Sequence, residues 1–309
     1  VTAASIALDK YKARQGPPDP LPSEIRPWFG PRNQTELVQA AQVAVDGARA
    51  RLALSPDEWL RQEVLARALV RRFRATGSYA DLAEADALLD KGMAGSPFPA
   101  GPSLSRAEVS VLAHKLDAAG RGLDRFFAQV GEPDDGESAG AWSLKGDIAF
   151  QRGDMKAARL AYARAEEYDN NAAVALRQSM LALRTGDPAL ARRRVNAVLR
   201  APKLSRYVKS QIALQRTAIA YGMGDWKAAG TWARFADAFF PGNPLAMAHV
   251  AQQKALEGDV PGATRQCWQR QPCPRSWTHW PLRSACRDVV PKAGRGPTRR
   301  ETYGPSAIA

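Results

Sequence analysis

The stretch WSLKGDIAFQRGDMKAARLAYARAEEYD, Trp142–Asp169, decides the fold. Apolar and small residues recur at three- and four-residue steps on both sides of an Arg-Gly-Asp turn, which is helical and not strand periodicity. Gly153 offers the left-handed backbone that ends one helix, and the carboxylate of Asp154 can take a free amide at the start of the next. Two helices joined so tightly lie antiparallel. Small residues let the two backbones approach, and large ones fill the gap between neighbouring hairpins.

The same turn recurs along the chain, as RGD at Arg152–Asp154, TGD at Thr185–Asp187, MGD at Met223–Asp225 and EGD at Glu257–Asp259. Gly153, Gly186, Gly224 and Gly258 stand 33, 38 and 34 residues apart. Paired helices at such a period predict a solenoid. Upstream, Asn33 and Glu36 have capping-box spacing, predicting a helix to about Leu54. SPDEWL, Ser55–Leu60, predicts a second, with Ser55 as N-cap, Pro56 in the first turn and Glu58 reaching back. A turn at Gly77 leads into Leu82, Ala85, Leu88 and Leu89, and a further pair near His114–Phe127 fits by spacing. Sustained period-two alternation is absent. EPDDGE, Glu132–Glu137, lacks the ligand spacing of a calcium loop and reads as an exposed connector.

The repeating unit resembles the tetratricopeptide repeat (TPR) family. Trp142, Gly146, Gly153, Ala158, Tyr162 and Ala165 stand where that family places its large, small, turn and aromatic residues. Weaker matches follow around Gly186, around Gly224 with Pro241, and around Gly258, so the resemblance spans roughly residues 37–263. It implies an all-α solenoid of about five antiparallel helix pairs, with a concave groove lined by the first helix of each pair. It also implies that Asp147, Phe150, Gln151, Met180, Arg184, Tyr221 and Gln252 face that groove and meet a peptide or protein partner. Members that grip chaperone C-termini need Lys and Asn at two groove positions. Here those positions hold Ser143 and Asp147, Leu176 and Met180, and Leu214 and Ala218, so that clamp is missing.

Composition sets the remaining bounds. The chain has 309 residues, 45% of them hydrophobic, and a formal net charge of +13. Nine Lys or Arg against two acids lie from Ala263 onward, so the body is only mildly basic and its Arg runs are short. Nucleic-acid binding by the body is not expected. The first 266 residues hold no cysteine, excluding disulfides, thiolate metal sites and a cysteine nucleophile there. His114 and His249 are isolated, and no HExxH, phosphate loop or nucleophile elbow occurs. The expectation is a non-catalytic scaffold without cofactor or metal. No apolar run is long enough for a transmembrane helix. A start at Val1 is compatible with export after loss of a signal peptide, and the Asn-Gln-Thr triplet at Asn33 matters as a sequon only in that case.

Two ends flank the repeats. Residues 1–36 read as an extended arm, with six prolines between Gln15 and Arg32. Residues 263–309 read as an irregular basic tail that holds Cys267, Cys273 and Cys286 without any CxxC, so zinc is not expected. The single codon of Trp constrains the other reading frames. One frame reads Leu-Ala across Cys267, Trp268 and Gln269, and Asp-x-Leu-Ala from Trp277 to Pro281. That is repeat-like, so the tail is expected to be a frameshift product replacing the last helices. Against this stands a natural tail that binds nucleic acid or an anionic surface, and a weaker reading makes the chain a regulatory piece of a larger enzyme.

Overall fold

The computed structural model describes residues 30–97, 101–128, 133–199 and 204–268. Within them the chain forms thirteen helices and no strand. In order they are α1 Gln34–Ala53, α2 Trp59–Thr76, α3 Tyr79–Gly95, α4 Ser103–Leu112, α5 Leu116–Phe127, α6 Asp135–Gln151, α7 Met155–Tyr168, α8 Ala172–Arg184, α9 Pro188–Leu199, α10 Arg206–Gly222, α11 Trp226–Phe239, α12 Pro244–Leu256 and α13 Val260–Trp268. From α2 on they pack as six hairpins, pairs 1 to 6, with α1 laid against α2. First helices of successive pairs touch one another, and each second helix touches the first helix of the next pair. The described residues thus hold six pairs where the sequence predicted about five.

The repeated turn is built as its residues dictate. Gly153, Gly186, Gly224 and Gly258 all have positive φ. The amide of the following Asp donates to a carbonyl five residues back, at 2.9 Å from Asp154 to Ala149 and 2.8 Å from Asp187 to Ala182. Its carboxylate accepts from the first turn ahead, for example from Ala157 N at 2.9 Å and Ala228 N at 3.0 Å. Pair 2 makes the same turn without glycine. His114 takes φ 57°, and Lys115 N donates to Ser110 O at 2.8 Å. No acid follows His114, so α5 has no side-chain N-cap.

Two expectations shift. Asn33 caps α1 as predicted, its side chain accepting from Glu36 N at 2.9 Å. Ser55 does not cap α2, because its hydroxyl donates to Leu54 O at 2.8 Å, Glu58 pairs with Arg61, and the helix begins at Trp59. Gln62 Nε2 of α2 holds the prolyl turn at Pro56 O, and Arg61 Nη1 holds Arg51 O at the end of α1, both at 2.7 Å. EPDDGE is exposed from Asp134 to Glu137 as expected, but part of it is helix: Asp134 caps α6, accepting from Glu137 N at 2.7 Å, and Asp135–Glu137 form its first turn. The boundary placed at residues 262 and 263 falls inside α13, whose Ala263 is buried. Most of the arm and the tail, with Cys273 and Cys286, lie outside the described residues.

One contact lies beyond any local pattern. Gln34 N, at the start of α1, donates to Pro241 O at 3.1 Å in the turn after α11, while its side-chain amide holds Ala75 O. Arg206 stands near Glu36, and Arg74 near Tyr207. The solenoid therefore comes round until the base of its first helices meets the top of pair 5. Tyr207 and fully buried Phe240, with ring centroids 5.3 Å apart, fill the corner beneath that contact.

Candidate protein-interaction surface

Gly146 packs so closely on the Tyr162 ring that a Cβ there would stand 2.3 Å from Cε1. Ala158 and Ala165 are fully buried beside it, and Trp142 leans on Phe127 of the preceding pair at 5.3 Å between centroids. Pro241 sits in the turn that receives Gln34.

The seven predicted groove residues divide by what they touch. Asp147 accepts from Tyr162 Oη at 2.8 Å and from Arg177 Nε at 2.9 and 3.0 Å, so its carboxylate ties α6, α7 and α8 together. Burial and this carboxylate push the Tyr162 phenol up; burial works against the Arg177 charge, but Asp147 outweighs it and holds that guanidinium above its ordinary value. Phe150 is half-buried against Ala158, Tyr162 and Leu181. Gln151 is exposed and pairs with His114 Nδ1 at 2.9 Å. Met180, 47% exposed, and exposed Arg184 lie one helical turn apart on α8. Tyr221 is half-buried, its ring 5.3 Å from Trp226 and 5.7 Å from His249. Gln252 is exposed and bonds His249, whose imidazole burial pushes below its ordinary value against that bond. Repeat equivalence aligns Asp147, Met180, Ala218 and Gln252 along the first helices.

Sequence reasoning passed over two features. Arg216, 8% exposed, lies over the Trp232 ring at 4.6 Å with no carboxylate partner among the described residues. Burial, with Arg192 adding to it, lowers its pKa to about 10, so it stays charged at neutral pH. The other is an open groove of about 550 Å³ on pair 3, between α6 and α7. Among the described residues no group of three His, Cys, Asp or Glu side chains stands together to hold a metal ion, and no helix is long and apolar enough to cross a membrane.

No protein-family model and no curated protein sequence matches the chain. Solved structures do. A chain of the APC/C Cut9–Hcn1 hetero-tetramer superposes with TM-score 0.57 at 10% identity, over 84% of this chain and 48% of that one. Yeast Tom70 gives 0.51 at 13% identity, over 82% of this chain and 60% of that one. A tetratricopeptide repeat protein from Parabacteroides merdae gives 0.53 at 12% identity, over 83% of this chain and 98% of that one. The chain spans about half the length of the first of these and 60% of the second. At such identities the likeness defines the fold, a TPR-like α-solenoid.

Proposed function

We propose that the chain is a non-catalytic scaffold that holds a peptide or protein segment along the row of its first helices. The observation that carries this is the exposed stripe on α8, where Met180 presents an apolar side chain to solvent one turn from Arg184, on a helix whose other large apolar residues, Val174, Leu176, Leu181 and Leu183, are buried or half-buried. Gln252 continues the stripe at the equivalent position of α12. Asp147 does not serve this surface, since its carboxylate is engaged by Arg177 and Tyr162. The TPR-like fold supports the reading, because a row of parallel first helices offers repeated, evenly spaced contacts to an extended segment.

Selection of displayed random peptides tests it, with the double variant M180E/R184E as counter-target. Peptides enriched on the wild-type chain should lose at least about tenfold in affinity for that variant, as expected when an apolar anchor is removed. Enriched peptides that bind both proteins equally would sink the proposal.

A further inference from the structure

Pairs 3 and 5 share one register, 71 residues apart from the Gly153 turn to the Gly224 turn. On the side facing the preceding pair, each places a cation over an indole. Lys145 Nζ lies 4.7 Å from the Trp142 ring centroid, and Arg216 lies 4.6 Å from that of Trp232. The cover then differs. In pair 5, α11 contributes Trp232 and Phe235, 3% and 5% exposed, with centroids 5.7 Å apart, and the face is closed against Leu199 of the preceding pair. At the equivalent positions α7 has Ala161 and Arg164. The face of pair 3 is left as the groove of about 550 Å³, walled by Trp142, Ala149, Ala157 and Leu160. Leu160 is 73% exposed, and Phe127 beside Trp142 is 42% exposed.

The rim is positive. Lys145, Arg152 and Arg164 border the groove, and the one acid there, Asp154, is occupied in capping α7. Among the described residues Arg152 and Arg164 pair with exposed carboxylates, Asp117 and Glu167, which bind weakly in water. Lys145 has no carboxylate partner among the described residues. An apolar floor that the chain itself covers with aromatic rings elsewhere, ringed here by three cations, selects a ligand that brings its own ring and its own carboxylates.

The geometry points to a second docking site, in which the groove of pair 3 takes an aromatic side chain from an acidic segment of a partner protein, in the manner that Trp232 and Phe235 cover pair 5. This rests on the scaffold reading only in that the ligand is a protein segment. It does not depend on the stripe at Met180.

The test measures fluorescence anisotropy of a labelled synthetic peptide of Glu and Ser residues with one central Trp-Phe pair, against a counterpart with Ala-Ala. The full chain should bind the aromatic peptide and the Ala counterpart at least about tenfold more weakly. Arg164→Phe gives α7 the ring that α11 has and should remove binding while melting no lower than wild type. Lys145→Glu leaves the groove open but should weaken binding at least about tenfold, since it replaces attraction by repulsion. Met180→Glu should leave this binding unchanged, which separates failure here from failure of the first reading. No binding to wild type, equal binding of the Ala counterpart, or full binding to both groove variants overturns the proposal. So does self-association of the chain that Arg164→Phe abolishes, because the occupant would then be a second copy.

Discussion

Pairs 3 and 5 have the same backbone and reverse one another's side chains. Pair 3 puts the large residue Trp142 on its first helix opposite Ala161 on its second, while pair 5 puts Ala213 first and Trp232 second. The residues at the close-contact positions change as well, from Gly146 and Tyr162 to Thr217 and Ala233, both fully buried. Each combination sets one indole against a small residue at the contact of the two helices, because interior packing constrains summed volume more than which helix supplies it. The consequence shows at the edge. An indole on the second helix, joined by Phe235, closes the face of pair 5. An indole on the first helix leaves the face of pair 3 open beside Leu160. Two side chains decide whether the same register becomes core or surface.

The contrast is broken most severely at Trp232. Trp232→Ala should cost about 3–5 kcal/mol, because it removes a buried indole and uncovers Arg216. Leu160→Ala, on the open face, should cost less than about 0.5 kcal/mol. Denaturant midpoints at constant slope read both, and similar losses would mean that the two faces do not differ as described. Gly146→Ala comes next, at about 1–3 kcal/mol, because its Cβ meets the Tyr162 ring. The double variant G146T/Y162A copies the pair 5 combination and should be less destabilised than the sum of its single changes. Additive losses would refute the reversal. The smallest expected effect concerns His249. Burial sets its folded pKa below the ordinary 6.5, so the unfolded chain takes up a proton that the folded chain refuses. Stability should therefore fall as pH drops through 6.5 toward the folded value and level off below it. His249→Phe should flatten that part of the profile, and an unchanged slope would remove His249 as its cause.

Much of this architecture is legible in residues that act locally. A Gly-Asp dipeptide needs only its own turn to end one helix and cap the next, so four of the six hairpins announce themselves. Pair 2 shows only by spacing, because His114 takes the left-handed conformation that glycine takes elsewhere, and the interaction of its ring with Gln151 of α6 belongs to the tertiary structure. SPDEWL misleads for a local reason: the Ser55 hydroxyl turns back to Leu54 O and the Glu58 carboxylate pairs with Arg61, three residues on. Within the candidate surface, the repeat pattern names the positions along the first helices. It gives no sign that Asp147 is held by Arg177, 30 residues away, while Met180 is left in solvent.

By itself the sequence determined the all-helical class, the hairpin unit and its register, since these follow from periodicity and capping within a few residues. Only the tertiary structure decided that the solenoid returns on itself from Gln34 to Pro241, and that the groove beside Trp142 stays open while its counterpart at Trp232 is closed. Both are set by small rotations between successive pairs and by how side chains from different pairs share volume. Those quantities depend on neighbours distant in the chain, and no local pattern encodes them.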